Sequence, residues 1–212
     1  MADVVITSGP TRQYLDPVRY LTNASSGRMG AAIAEAAIGR GHRVTIVSGP
    51  VQVRYPEAAR VIDVVTTEEM LRATAEAFVL ADGLIGVAAP CDYMPRVLRP
   101  EKIAKTGEPL QLELVETPDV VATLAAAKRP EQWVVGFALE TEDRHYRAVA
   151  KMQRKRCDLM VSNSAAAIDA AETDLDILGR DGHLIEHVVG PKTHAAERIW
   201  AAIELSCLAR PT

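Results

Sequence analysis

Cysteine is scarce in this chain, and the three present do not form a pattern. Cys91, Cys157 and Cys207 are an odd set without a C-x-x-C spacing. That argues against a disulfide framework and against a cysteine zinc site. An excess of positive charge is also missing. Lys and Arg number 24 against 28 Asp and Glu, for a net charge of −4. No basic cluster of the kind that neutralises a nucleic-acid backbone is present, so nucleic acid is not an expected partner. No apolar run reaches the ~18 residues that a membrane-spanning helix needs. The start, Met1-Ala2-Asp3 followed by Val4-Val5-Ile6, lacks the basic segment and long apolar stretch of a leader. A soluble, reducing, cytoplasmic setting with no membrane partner is the expectation. What is there is ordinary globular material: 212 residues, 48% hydrophobic and 25% charged. A chain of this size buries roughly 70% of its unfolded surface, enough for one domain over residues 1–212.

The hydrophobic pattern alternates between two periods. Val4 to Thr7 is a short β-branched run ending at Ser8-Gly9-Pro10, which predicts a buried strand and a loop. Residues 27–39 are rich in alanine, with Met29, Ile33, Ala36 and Arg40 at helical spacing. Ser25 or Ser26 is a candidate cap, and Gly39 or Gly41 a candidate stop. Strands are expected at Arg43–Ser48, Val61–Val65, Gly83–Ala88, Trp133–Ala138 and Leu159–Val161. Helices are expected at Thr67–Phe78, from Thr117-Pro118-Asp119 to Ala127, at Arg144–Lys155 and at Thr193–Leu208. In the second of these Pro118 takes the first helical position. Leu110 to Val115 reads as extended, with Leu110, Leu112 and Leu114 on one face. Residues 174–189 read as a hairpin around Arg180-Asp181-Gly182. The fold class is therefore α/β and Rossmann-like: an open, mostly parallel sheet with helices on both faces and a C-terminal β-hairpin. Residues 94–108, rich in proline and charge, read as a mobile loop inserted into that scaffold.

Four segments carry candidate chemistry. In a doubly wound sheet, ligands bind beyond the carboxyl ends of the strands. The long polar loop after the first strand sits there and leads into a helix N-terminus, where free N–H groups favour phosphate or carboxylate. The same serines and glycines would also serve a capped helix packed on a sheet. The loop is neither G-x-G-x-x-G nor a Walker motif. Asp92, after the fourth strand, could accept from ribose or base or hold a metal, or be a turn aspartate. Cys91 beside it reads as a small buried residue rather than a nucleophile, since no histidine lies in a partner motif. Lys102 and Lys105 suit a phosphate clamp on a closing loop, or a solvated surface. Phe137 ends a strand where an aromatic could stack a base, and Lys151 and Lys155 share one helix face. His183 and His187 are four apart, but on a strand-like segment that does not suit a metal.

The order of these segments is more specific than any one of them. T-S-G-P-T (7–11), D-P-V-R-Y-L-T-N-x-S-S-G-x-M-G (16–30), A-A-x-x-D-Y-x-P (88–95), K-I-x-K (102–105), T-P-D-V (117–120) and G-F-A-x-E-T (136–141) followed by two lysines together resemble the phosphopantothenoylcysteine synthetase family. In bacteria that synthetase is often the C-terminal half of a bifunctional flavoprotein. The resemblance runs from about Val4 to Asn163 and more loosely to the end. It implies ligation of 4′-phosphopantothenate to L-cysteine through an acyl-nucleotidylate made with CTP and Mg²⁺, releasing pyrophosphate and CMP. It implies Lys102 and Asn23 as catalytic. It implies Gly86, Val87, Ala88, Asp92, Lys102, Pro118, Asp119, Val120, Val121, Phe137, Lys151 and Lys155 around the nucleotide. Arg19, Asn23, Ser25, Ser26 and Gly27 would hold the acyl substrate, while the metal ligands stay open. A homodimer is implied, with the Leu110–Val115 segment a candidate for pairing across the twofold axis. A separate decarboxylase is a candidate partner, because this chain has no room for the flavin-binding half.

The chain departs from the family pattern at Gln13 (usually glutamate), Pro90-Cys91 (a Val-Ala pair), Leu139 (alanine) and Ser164-Ala165 (Asp-Val), and it lacks the following glycine-phenylalanine segment. Two other readings stay open: the same ligase using ATP, and a non-catalytic nucleotide-binding module on the same fold. An NAD(P)-dependent reductase fails on the missing glycine fingerprint.

Overall fold

The computed structural model describes residues 1–140, 143–164 and 172–209. Thr141 of the expected G-F-A-x-E-T segment and Ala165 of the departing Ser-Ala pair lie outside them. Eight strands form one sheet. In chain order they are β1 (Asp3–Ser8), β4 (Arg43–Ser48), β5 (Arg60–Asp63), β6 (Gly83–Gly86), β9 (Trp133–Glu140), β10 (Leu159–Ser164), β11 (Glu172–Leu178) and β12 (Leu184–Pro191). Between β1 and β4 lie β2 (Arg12–Tyr14) and β3 (Tyr20–Thr22), and between β6 and β9 lie β7 (Tyr93–Pro95) and β8 (Leu114–Glu116); each of these pairs is a separate two-stranded ribbon. Across the main sheet the order is β12-β11-β10-β9-β6-β1-β4-β5, parallel from β5 to β10, with β11 antiparallel to both of its neighbours, β10 and β12.

Two-residue alternation along the strands builds two cores. Val4, Ile6, Ile46, Val135 and Val161 face α1 (Arg28–Gly39) and α5 (Lys192–Ile203). Val5, Val47, Leu84, Val134 and Met160 face α2 (Thr67–Phe78), α3 (Val120–Ala127) and α4 (Arg144–Lys155). A strand covered on both faces must read as a continuous apolar run, which is how β1, β4 and β9 do read. The chain steps from β1 outward to β4 and β5, then returns over α2 to β6 on the other side of β1. Strand order therefore reverses between β1 and β6, the position where doubly wound sheets open a crevice.

The expected helices at 67–78 and 144–155 match the structure, and α2 starts with a capping box in which Thr66 and Glu69 satisfy each other's backbone N–H. Several boundaries differ. The first helix is capped by neither Ser25 nor Ser26: its N-cap is Gly27, at φ 74, with no side-chain acceptor. Pro118 lies before α3 rather than inside it, because the Asp119 carboxylate accepts from Ala122 N at 3.0 Å and takes the cap. β5 stops at Asp63 and β6 at Gly86. After Gly86 the chain turns across the sheet end, and Ala89 N donates to Gly9 O at 2.9 Å. The long first loop is not featureless: it folds into the β2–β3 ribbon. Only Leu114 and Val115 of the 110–115 segment are in a strand, paired back on β7, and Leu110, Leu112 and Leu114 are exposed. The inserted 94–108 segment is also anchored. Arg99 N donates to Leu15 O at 3.1 Å, and Ile103 N to Asp16 Oδ2 at 3.1 Å. Among the described residues no helix is long and apolar enough to cross a membrane.

One titratable group is built into the α1–α5 contact. The buried His42 ring stacks on Trp200 at 4.7 Å, and its Nδ1 accepts from Ala2 N at 3.1 Å. Burial, aided by the N-terminal ammonium and Arg40 and opposed by Glu204, holds its pKa below the ordinary 6.5. The folded state therefore binds fewer protons than the unfolded chain. Stability should be full above about pH 6.5 and fall with acidification through the depressed folded value. Melting temperature against pH, compared with His42→Gln, checks this. The variant should show a flatter acid limb, and equal limbs would remove His42 from the acid response.

Candidate active site

The crevice at the β1/β6 reversal consists of two joined clefts, split by the ends of the strands themselves. On the α3/α4 side, a cleft of about 400 Å³ is lined by Thr7, Gly86, Asp92, Pro118 to Val121, Phe137 and Lys155. On the α1 side, a cleft of about 540 Å³ is lined by Ser8, Asn23 to Gly30, Val87, Phe137, Lys151, Lys155 and Asn163. Ala88, Pro90, Asp92, Phe137 and Lys155 line both. Successive residues at the strand ends point to opposite faces, so Thr7 and Gly86 serve the first cleft while Ser8, and Val87 just past the end of β6, serve the second.

The walls are held by hydrogen bonds between loops distant in sequence. Asn23 Nδ2 donates to Pro90 O at 2.8 Å, tying the first loop to the loop after β6. Thr11 Oγ1 accepts from Cys91 N at 2.7 Å and shares a hydrogen bond of 2.8 Å with Thr67 Oγ1. Thr117 Oγ1 donates to Cys91 O at 2.6 Å. Cys91 is thus a buried structural node, as its sequence context suggested. Burial pushes the thiol of another cysteine, Cys157, up to about 12, so it is inert at neutral pH.

Glycine matters at two points. Gly27 adopts a left-handed conformation, which turns the chain into α1 and leaves the first-turn N–H groups without a side-chain acceptor beside the second cleft. At Gly86 an added Cβ would lie 2.3 Å from Val121 Cγ2, so only glycine lets the start of α3 close against β6. That approach brings Pro118 to Val121 into the first cleft.

Charge in the crevice is arranged unevenly. Lys155 Nζ lies 2.9 Å from Asp119 Oδ2. Burial works to raise the Asp119 carboxyl, but the Ala122 N–H and Lys155 outweigh it and hold it below the usual carboxylate range. Asp92 is exposed at the rim shared by both clefts. Mg²⁺ is held by one or two carboxylates plus substrate phosphates, so the rim fits such an ion without a dedicated cage. Among the described residues no group of three His, Cys, Asp or Glu is placed to hold a metal on its own. His183 and His187 are paired separately, with Asp181 and Asp176.

The crevice gathers Asn23, Ser25, Ser26, Gly27, Gly86, Val87, Ala88, Asp92, Pro118, Asp119, Val120, Val121, Phe137, Lys151 and Lys155. It does not gather Lys102 or Arg19. Lys102 is exposed on the anchored loop. Arg19 Nη1 donates to Asp16 Oδ2 at 2.9 Å and to Ile103 O at 3.1 Å, so it grips that loop. Asp16 belongs to the quoted 16–30 motif but was given no role there. Burial opposes its ionisation, but the N–H groups of Ile103, Val18 and Arg19 and the Arg19 guanidinium overcome this and lower its pKa. The Asp16-Pro17 turn beside an arginine was the available signal. Asn163 was also missed as a site residue. Its Oδ1 accepts from the buried Thr173 Oγ1 at 2.8 Å, and only strand pairing brings Thr173 there.

Residues 1–206 match the family model described as the DNA/pantothenate metabolism flavoprotein C-terminal domain. The chain is similar to the coenzyme A biosynthesis bifunctional protein CoaBC of Bacillus subtilis (strain 168), with 38% identity over 99% of this chain and 52% of that protein. It is similar to the protein of the same name from Escherichia coli (strain K12), with 44% identity over 77% of this chain and 41% of that one. The chain therefore spans about half the length of the curated relatives it matches. Among solved structures it resembles the C-terminal domain of a CoaBC protein, with a TM-score of 0.82 and 32% identity over 96% of this chain and 94% of that one.

Proposed function

This chain belongs to the DNA/pantothenate metabolism flavoprotein C-terminal domain family, and from that premise we propose that it is a phosphopantothenate–cysteine ligase of coenzyme A biosynthesis. The reading is carried by one observation: two clefts meet at a shared rim of Ala88, Pro90, Asp92, Phe137 and Lys155. A ligation needs a nucleotide and an acid side by side, with the reacting groups at the seam.

In this reading the first cleft holds CTP. Phe137 supplies an apolar platform, the backbone at Pro118 to Val121 surrounds the nucleoside, and Lys155 meets phosphate. Asp92 would hold Mg²⁺, which when bound neutralises phosphate charge. The second cleft holds 4′-phosphopantothenate, whose carboxylate attacks the α-phosphate and displaces pyrophosphate. The cysteine amine then attacks the acyl carbon and displaces CMP. Asn23, in the second cleft and tied to the rim by its hydrogen bond to Pro90 O, positions the acyl group. Lys102 reaches the α-phosphate when its loop closes. The exposed apolar residues Val97, Leu98, Leu110, Leu112 and Leu114 on the β7–β8 arm support burial against a second copy, which makes the homodimer. A separate decarboxylase would take the product.

The deciding experiment is pyrophosphate release with 4′-phosphopantothenate and Mg²⁺, with CTP and ATP compared, before and after cysteine is added. Sustained turnover that needs cysteine and prefers CTP is expected. An ATP preference would keep the reaction and change the nucleotide. No release with either would leave a binding module.

A further inference from the structure

We propose that Asn163 receives the α-carboxylate of the amino acid in the second half-reaction, and that the buried Thr173 turns its amide for that purpose. The proposal rests on the ligase reading above and adds where the second substrate is held.

Two asparagines line the second cleft, and neither lines the first. They are held in opposite senses. Asn23 Nδ2 donates to Pro90 O at 2.8 Å, which leaves its Oδ1 for a ligand. Asn163 Oδ1 accepts from Thr173 Oγ1 at 2.8 Å, which leaves its Nδ2 for a ligand. The cleft therefore presents one amide acceptor and one amide donor. The sheet sets the second of these. Asn163 faces Leu175 across the antiparallel β10–β11 pair, and Thr173 is its diagonal neighbour, two residues from Leu175 on the same face. Thr173 is buried. A buried hydroxyl left without a partner is costly, so the bond is kept and the amide stays turned.

A free amino acid carries the complementary pair, an amine with protons to donate and a carboxylate that only accepts. Its amine must reach the acyl carbon at the rim, so its carboxylate lies at the far end. The span fits. Phe137 of the rim pairs with Val161, and Leu139 pairs with Asn163. Asn163 is thus one strand across and two residues along from the rim, ~8 Å by strand spacing and rise. An attacking nitrogen ~3 Å from the acyl carbon, ~3 Å of amino acid and a hydrogen bond of ~2.9 Å cover about that distance. The space is also separate from that of the acid. The acid-holding residues 23–27 follow β1, and β10 lies three strands away in sheet order, ~14 Å at ~4.8 Å per strand. Charge agrees as well. Among the described residues lining this cleft, the one carboxylate is Asp92 at the rim, while Lys151 lines it from α4.

The test compares wild type, Asn163→Ala, Thr173→Val and Thr173→Ser with two amines, L-cysteine and cysteamine. Cysteamine keeps the amine and thiol and lacks the carboxylate. Wild type should prefer cysteine. Asn163→Ala should raise KM for cysteine and cut the cysteine-to-cysteamine ratio of kcat/KM by about 10- to 100-fold, the loss of one hydrogen bond to a charged group. Thr173→Val should cut that ratio by about 3- to 10-fold through a loosened amide, and Thr173→Ser should restore it. Single-turnover pyrophosphate release, taken before any amine is added, separates the two half-reactions, and a melting temperature checks each fold. If wild type turns over and Asn163→Ala keeps the wild-type ratio, the assignment is wrong and the ligase reading stands. If Asn163→Ala instead slows the single-turnover step by the same factor, Asn163 serves the acid and the assignment is equally overturned. If Thr173→Ser does not restore what Thr173→Val loses, the positioning role of Thr173 is overturned. If wild type releases no pyrophosphate with either triphosphate, the ligase reading falls and this assignment falls with it.

Discussion

Replacing Lys102 by glutamine is expected to lower pyrophosphate release by about 10²–10³-fold, the loss typical when one preorganised charge is removed from a developing oxyanion. That corresponds to ~2.7–4 kcal/mol of transition-state stabilisation. Melting temperature should not move, because the Lys102 side chain is exposed and supports nothing around it. The neighbouring backbone is fixed. Ile103 N donates to Asp16, and Ile103 O accepts from Arg19, so the lysine has a defined base from which to reach. It lies outside both clefts, so the prediction includes a loop movement: the lysine must close over bound substrates. Single-turnover pyrophosphate release at saturating triphosphate, measured alongside a thermal melt, separates the two effects. Full activity in a folded Lys102→Gln protein would remove Lys102 from the mechanism.

The largest stability effect is expected at Trp200. Its side chain is fully buried on α5, its Nε1 donates to Ile33 O of α1 at 2.9 Å, and its ring meets Trp133 edge-on at 6.3 Å. Trp200→Ala removes the largest side chain of the α1–α5 layer and leaves a cavity the packed helices close only in part. A loss of about 3–5 kcal/mol follows. At ~2–4 °C per kcal/mol for a chain of this size, the melting temperature should fall by about 6–20 °C. Trp200→Phe should recover much of that loss, since it restores ring volume without the N–H donor. The consequence reaches the crevice, because α1 supplies the first turn that lines the second cleft. KM for the acid should rise in Trp200→Ala well below its melting temperature. An unchanged melting temperature would mean the α1–α5 layer contributes little to the fold.

The α/β class, the helices at 67–78 and 144–155 and the C-terminal hairpin could be read from the chain itself, and most of the residues that line the crevice were named through the family resemblance that its ordered motifs carry. Each rests on a local rule: periodicity two or 3.6, the Asp-Gly turn, or an ordered run of short motifs. What needed the tertiary structure was everything set by proximity between distant segments. Asp16 is an anchor only because Ile103 folds back onto it. Asn163 faces the crevice with its oxygen held by Thr173 only because β10 pairs with β11. Lys102, marked by its motif, lies outside both clefts because Asp16 and Arg19 hold its loop elsewhere. Local sequence determines backbone preference and which face is apolar. Which charges end up together is decided by the order and hand of the strand crossovers, information no single segment contains.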